Sequence, residues 1–214
     1  MTRSLRIAGA VAWMACATAL QAQKADPNAK PQPPLAPMAA QHVLVLPVQL
    51  LRADSGAWVT QGPAWEKFRR ELDDSIGSVL AARGLPKAWK YASDAVRIAK
   101  RNPDYVNDPY TLGAQTMRAV VYKIGDPLPM LFVGNLRPLI ALADARYALV
   151  PIEIWFATRA GQQIAVLKLG FADGQAGTIV WIGEVGTDPS ASPTLPANLI
   201  NTLANRIANL VVAP

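Results

Sequence analysis

The sequence has little of what most catalytic and metal sites are made from. Its 214 residues include one cysteine and one histidine. A single histidine cannot build a multi-histidine metal site, and a single cysteine gives neither an internal disulfide nor a thiolate cluster. A serine–histidine–acid triad would have to use His42, and the sequence contains no G-x-S-x-G motif. We therefore expect no metal, no cofactor and no enzymatic activity.

Two further absences argue against a membrane-spanning protein and a P-loop nucleotide-binding protein. No run of about 18 consecutive apolar residues exists, so the sequence predicts no membrane-spanning helix. No G-x-x-x-x-G-K-[ST] motif is present to bind a nucleotide phosphate. The residues that are there favour a folded domain, since 51% are hydrophobic and only 17% are charged.

The first 22 residues have the layout of a secretory signal peptide. Two arginines precede an uncharged apolar stretch that is too short to span a membrane, and small residues follow it. We expect cleavage after Ala22, with Ala19 as the alternative site, and a periplasmic mature chain. The other interpretation is a lipoprotein signal acylated at Cys16, which would place Trp13 where that motif has a small aliphatic residue.

Residues 23–41 form a second segment, rich in proline. Proline disfavours a helix and cannot donate to a sheet ladder, so we expect an extended linker here. The folded domain is then predicted over residues 42–214.

The pattern of the domain alternates between strands and helices. An apolar, β-branched run over residues 42–50 predicts a buried strand. Pro63 opens a helix with an apolar stripe, and Gly84 ends it. Further helices are predicted over 88–101, 108–122, 136–144 and from residue 196, and strands over 145–158, 164–171 and 178–185. The prediction is a single α/β domain with a mixed sheet of about five strands, a C-terminal antiparallel meander and flanking helices. We also expect Trp181 to pack against the first helix.

Several short motifs then suggest a family. These are the strand over residues 145–150, a D-G-x-x-G turn over 173–177, and the strand T-I-V-W-I-G-E over 178–184. In this order the chain resembles the bacterial envelope superfamily that includes the TolB N-terminal domain, the CsgG periplasmic domain and LpoB. The resemblance implies a mixed sheet flanked by helices, and members that bind proteins without catalysis. The chain has no proper lipobox and none of the amphipathic membrane hairpins of a CsgG-like pore.

A basic segment is the strongest candidate for partner binding. It holds six cations against one acid, with two aromatic residues between them. After export, the expected partner is an envelope protein, with anionic lipid or a cell-wall polymer as alternatives, and not nucleic acid. The other interpretation is a solvated helix face. The candidate residues are Arg83, Lys87, Trp89, Lys90, Tyr91, Arg97, Lys100 and Arg101.

Two acidic residues interrupt the apolar strands of the meander. Glu153 and Glu184 are the only pair suited to acid–base chemistry without histidine, which would require them to converge in a cleft. That arrangement would make the chain a carboxylate-based hydrolase. The interpretation we favour is that both are outward-facing charges that block pairing at a sheet edge.

The last helix carries an uncharged amide stripe formed by Asn198, Asn201, Asn205 and Asn209. Charged residues usually occupy such a face. The stripe is either solvated or packed against a partner or the N-terminal segment.

These observations predict a non-enzymatic periplasmic domain that recognises an envelope protein. The alternative is an oligomeric subunit of an envelope secretion or transport assembly, in which the domain builds a homo-oligomer.

Overall fold

A mixed sheet of six strands lies at the centre of the computed structural model. Its order is β3-β1-β4-β5-β6, and β2 pairs with β4 beyond the end of β1. The first three strands run parallel to their neighbours, whereas β4, β5 and β6 are antiparallel. The predicted mixed sheet with its C-terminal meander is confirmed. The strands are β1 (Val43–Val45), β2 (Leu50–Arg52), β3 (Trp89–Lys90), β4 (Tyr147–Arg159), β5 (Gln162–Asp173) and β6 (Thr178–Gly186).

Helices cover both faces of this sheet and create two cores. One core lies beneath α1 and α4, and the other lies beneath α2 and α3. The result is the single α/β domain that the alternating pattern predicts. The helices are α1 (Pro63–Ala82), α2 (Ala92–Arg101), α3 (Met130–Leu142) and α4 (Pro196–Val211).

The structure describes residues 32–52, 63–85, 87–118, 120–159, 162–188 and 196–213. The predicted signal peptide, Cys16 and the first part of the predicted linker lie outside these residues. Leu35, assigned to the linker, is buried, and its amide donates to the Leu210 carbonyl over 2.8 Å. The packed chain therefore starts ahead of residue 42. Within the described ranges, no helix has the length and apolar character needed to cross a membrane.

Helix α1 follows its predicted pattern closely. Trp65, Phe68 and Leu72 are buried on the stripe that faces the sheet. The chain leaves the helix at Gly84, whose φ of 79° suits glycine. Trp181 packs against this core but is only half-buried, so the expectation that it lies inside the core is met only in part.

Three helix predictions in the middle of the chain are wrong: the one over 88–101 starts too early, the one over 136–144 starts too late because α3 begins at Met130, and the one over 108–122 is not an α-helix. The residues from Trp89 to Lys90 form β3 and pair with β1, so α2 begins only at Ala92. A two-residue strand is too short for any periodicity to reveal it. Residues 108–122 contain a 3₁₀ turn, Ala114–Met117, instead of an α-helix. Gly113 precedes this turn with a φ of 90°, which a helix cannot contain.

The first predicted strand is split in two. Pro47 has no amide hydrogen, so a continuous ladder over residues 42–50 would lack a donor there. The buried side chain of Gln49 bridges the gap by donating to the carbonyls of Pro47 and Pro109, each over 2.8 Å. This bridge ties the break in the strand to the loop that follows α2.

A β-bulge decides which way the second half of β4 faces. Ile152 is an extra residue between Pro151 and Glu153 in the pairing with β5. An inserted residue changes the face of every side chain that follows it. Ile154 therefore belongs to the core under α1 and α4, and Glu153 points to the side of α2 and α3.

Candidate functional site

Four of the eight residues predicted to bind a partner make contacts within the domain instead. Trp89 is 2% exposed, and its indole N–H donates to the Ala39 carbonyl over 3.1 Å. The Lys90 ammonium donates to the carbonyl of Ala143, at the end of α3. Tyr91 is half-buried, and both burial and the nearby Asp94 carboxylate raise its pKa. These three side chains hold the domain together.

Arg83 is also engaged within the protein, and it explains the amide stripe of α4. Its guanidinium donates to the side-chain oxygens of Asn209 over 2.7 Å and Asn205 over 3.3 Å. The Ser75 hydroxyl lies 3.5 Å from the side-chain oxygen of Asn201. These three asparagines therefore contact Ser75 of α1 and Arg83, which directly follows α1, and only Asn198 of the stripe has no such contact among the described residues.

Four cations of the predicted segment are exposed, namely Lys87, Arg97, Lys100 and Arg101. Arg97 forms an ion pair with Asp94 in its own helix. Of the eight residues predicted to bind a partner, Lys100 alone lines a cavity between α1 and α2.

That cavity, of about 590 Å³, lies where α1, α2 and the loop after α2 meet. Arg70 of α1 faces it together with Lys100 of α2, and most of the remaining wall is apolar. The sequence places Arg70 on the solvent side of α1, so only the approach of the two helices reveals the pair. The other lining residues are Val96, Ala99, Pro103, Val106, Asn107, Asp108, Pro109 and Tyr110.

A polar cluster supports the wall of this cavity. The Arg69 guanidinium stacks over the Tyr110 ring, 4.0 Å from its centroid. Behind them Asp73 is buried, and its Oδ1 accepts the Val48 amide over 2.9 Å. Burial raises the pKa of Asp73 to about 7, against the lowering effects of that hydrogen bond and of Arg69. Burial and the Asp73 carboxylate raise the pKa of Tyr110 to about 12, so its phenol stays protonated at neutral pH.

The cavity is suited to an acidic ligand with an apolar body. Its lining has two cations, Arg70 and Lys100, against one acidic residue, Asp108, whose carboxylate accepts the Tyr110 amide over 3.0 Å. Arg70 and Lys100 lie among lining residues that are mostly apolar. Cavities of this size and make-up commonly bind ligands through a few polar groups placed on an apolar surface.

A second feature is an exposed segment at the far edge of the sheet, residues 120–128, called the strap below. Val121 is 88% exposed and Ile124 is 74% exposed, which is unusual for large apolar side chains. The end of the strap pairs with β6, because the Gly125 amide donates to Ile179 and the Ile179 amide donates to Asp126.

Lys168 and Glu153 anchor the start of the strap. The Lys168 ammonium donates to the carbonyls of Met117 over 3.1 Å and Val120 over 3.4 Å. Glu153 is fully buried, and its two carboxylate oxygens each lie 2.6 Å from a guanidinium, those of Arg52 and Arg118. Our interpretation of Glu153 as an outward-facing edge charge is therefore wrong, because β4 is an interior strand and helices cover both faces of the sheet around it.

The two acidic residues of the meander do not face each other directly. Glu153 on β4 and Glu184 on β6 are both in register with Lys168, which lies on β5 between them. Glu153 is neutralised by two arginines inside the protein, and Glu184 is exposed. Lys168 is the member of this row that bonds the strap, at the Val120 carbonyl.

The described residues contain no group of three or more His, Cys, Asp or Glu side chains arranged to hold a metal ion. His42 is exposed, and its Nδ1 lies 2.9 Å from the Asp144 carbonyl oxygen.

No protein-family model matches the chain, and no curated protein matches it. Among solved structures, it is similar to the PelC dodecamer from Paraburkholderia phytofirmans, at 14% identity and a TM-score of 0.41, over 86% of this chain and 96% of that chain. The LpoB C-terminal domain from Salmonella enterica is 13% identical at a TM-score of 0.35, over 69% and 82%. Lipoprotein GNA1162 from Neisseria meningitidis is 16% identical at a TM-score of 0.37, over 78% and 97%.

Proposed function

We propose that this chain is a non-enzymatic, periplasmic domain of the bacterial cell envelope that binds another envelope protein. The predicted signal peptide supports the location, and the sequence resemblance to envelope proteins agrees with it. The proposal needs no cofactor and no metal.

The cavity between α1 and α2 is the observation that carries this proposal. Arg70 and Lys100 converge there from different helices, on a wall that is mostly apolar. An acidic side chain or chain terminus would pair with the two cations, while flanking apolar residues would fill the remaining volume. Such contacts give specificity and a faster association rate that falls as salt increases. The binding segment of the partner is therefore acidic and partly apolar.

The test reverses the two cavity cations in the full chain, as Arg70→Glu with Lys100→Glu. The control, Lys67→Glu with Lys87→Glu, changes the net charge equally at exposed sites that line neither the cavity nor the strap groove. Proteins crosslinked to each variant in intact cells are then identified and quantified. We expect the cavity variant to lose one specific partner by tenfold or more, while the control keeps it. Equal capture by both variants, each with an unchanged melting temperature, would contradict the proposal.

The exposed strap favours a second function, that of an oligomeric subunit in an envelope assembly. Val121 and Ile124 would then be covered by a neighbouring copy. Size-exclusion chromatography with light scattering separates the two functions. A ring or other large oligomer that dissociates on Val121→Asp would favour the assembly subunit, and a monomer would favour the partner-binding domain.

A further inference from the structure

The outer edge of β6 contains a short stretch whose backbone groups point away from the sheet. The Thr187 amide donates to the Ala165 carbonyl over 2.8 Å, so these two residues form a hydrogen-bonded pair. Hydrogen-bonded and non-bonded pairs alternate along an antiparallel ladder. The register of β5 and β6 therefore turns the N–H and C=O groups of Ile182 and Glu184 away from β5.

Both ends of this edge are already occupied. At one end, Ile179 exchanges hydrogen bonds with the strap residues Gly125 and Asp126, over 2.8 and 2.9 Å. At the other end, Arg206 donates to the Gly186 carbonyl. Between them, no residue of the described ranges hydrogen-bonds the outward groups of Ile182 and Glu184. Open backbone groups of this kind are a template for pairing with another strand.

A groove of about 380 Å³ lies beside these open groups. The strap leaves the edge of β6 after its pairing at Ile179, and Lys168 holds the start of the strap back over the sheet. The groove between the strap and the edge has one apolar side and one exposed carboxylate. Its lining residues are Val120, Val121, Tyr122, Lys168, Ile182, Gly183 and Glu184.

We propose that this groove binds an extended segment of another polypeptide, which adds to β6 as an antiparallel strand. The strap already pairs with β6 in this direction, so the added strand continues an existing antiparallel arrangement. Backbone hydrogen bonds to Ile182 and Glu184 would provide the affinity, and side-chain contacts would provide the selectivity.

The two open residues also define the chemistry of the occupant. Ile182 and Glu184 are two residues apart, so their side chains share one face of the sheet. The residue opposite Ile182 is apolar and contacts Val120 and Val121. The residue opposite Glu184 is lysine or arginine, because the Glu184 carboxylate is exposed and the neighbouring Lys168 is already bonded to the Val120 carbonyl of the strap. From its N-terminal to its C-terminal side, the occupant therefore has a basic residue, then any residue, then an apolar residue. This sequence differs from the acidic ligand proposed for the cavity.

A synthetic peptide tests this directly. The probe is acetyl-Thr-Thr-Lys-Thr-Val-Thr-Thr-amide, titrated into the isotope-labelled full chain and followed by NMR. We expect saturable shifts at the Ile182 and Glu184 amides, and slower hydrogen exchange at both. In a probe N-methylated at its lysine and valine, these two residues have no backbone N–H to donate to the carbonyls of Glu184 and Ile182. We expect this probe to bind roughly tenfold more weakly. A probe with glutamate in place of lysine should also bind more weakly, because it places two carboxylates opposite each other.

Protein variants provide an independent test at the same edge. Glu184→Pro removes an outward N–H while leaving the β5 ladder intact, since that N–H does not face β5. Glu184→Ala keeps the N–H and loses only the charge. We expect the proline variant to lose probe binding and the alanine variant to weaken it only severalfold. If the proline variant fails to fold, the N-methylated probe still decides the question.

Three results with the peptide would overturn the proposal. These are an absence of saturable binding, binding that N-methylation leaves unchanged, or shifts confined to residues away from β6. Self-association through this edge would also overturn it, and would appear as shifts at Ile182 and Glu184 that depend on protein concentration. The Arg70→Glu and Lys100→Glu variant should bind the probe normally, so this inference and the proposed function fail independently.

Discussion

Arg118 and Glu153 lie 2.6 Å apart, and this contact joins the loop before the strap to the middle of the sheet. Glu153 is fully buried, whereas Arg118 and its counterpart Arg52 keep about two fifths of their side chains exposed, at 40% and 39%. The carboxylate is thus held in the interior by two guanidiniums that reach in from the surface.

Glu153→Gln should destabilise the domain, because it leaves two cations facing each other without a counter-charge. Breaking a buried pair costs about 3–5 kcal/mol, and the partial exposure of both arginines reduces this to roughly 2–3 kcal/mol. Chemical denaturation measures the effect. Glu184→Gln is the control at an exposed site, where we expect a change within about 0.5 kcal/mol. Equal stability of the two variants would show that Glu153 does not anchor the loop.

Asp73 should make the stability of the domain depend on pH. Its folded-state pKa of about 7 lies above its ordinary value of 3.8, so between these pH values the folded chain holds the proton more tightly than the unfolded chain. Its contribution is fully present below about pH 4 and is lost as the pH rises to 7, by up to about 4 kcal/mol.

Asp73→Asn isolates this effect, since the amide oxygen can still accept the Val48 N–H. Denaturation of both proteins from pH 4 to 8 should show wild type losing stability relative to the variant as the pH rises. A difference between them that stays constant over this range would mean that Asp73 does not titrate near neutrality.

Trp89→Ala should behave as a core mutation and not as an interface mutation. The side chain is buried and hydrogen-bonded to Ala39, so its removal should cost about 3–5 kcal/mol. Lys87→Ala, two residues away and exposed, should change stability by no more than about 0.5 kcal/mol. Thermal denaturation of the two variants checks this. A Trp89→Ala protein as stable as wild type would contradict the parallel pairing of β3 with β1.

Arg83 and Asn209 should be energetically coupled. A hydrogen bond from a charged donor contributes about 1.5–3 kcal/mol, and partial exposure favours the lower end here. A double-mutant cycle with Arg83→Ala and Asn209→Ala should give a coupling energy of about 1 kcal/mol or more. The same cycle with Asn198→Ala, which removes an exposed amide outside this contact, should give none. Additive effects in the first cycle would mean that the stripe is only solvated.

The sequence predicted those helices and strands that are long enough for their hydrophobic residues to repeat at a regular spacing. The apolar stripe of α1 and the runs of β4, β5 and β6 extend over enough residues to define a face. The two-residue strand β3 and the 3₁₀ turn before the strap have no period to detect, and long-range pairing determines both. This is why the helix predicted over residues 88–101 began too early.

The site was predictable only in part, for the same physical reason. Lys100 belongs to a basic segment that the sequence makes visible. Arg70 occupies the polar side of an amphipathic helix, and only the approach of α1 to α2 brings it to the same cavity. The orientation of Glu153 depends on the bulge at Ile152, which appears only once β4 is in register with β5.

Site-specific photo-crosslinking tests binding at the cavity most directly. A photoreactive amino acid placed at Val96, in the cavity wall, is compared in intact cells with one placed at the exposed position Lys67. We predict a Val96 adduct to an acidic, partly apolar segment of one envelope protein, absent from Lys67 and lost when Lys100→Glu is added. Identical adducts at both positions, or a Val96 adduct that survives Lys100→Glu, would contradict the proposed function.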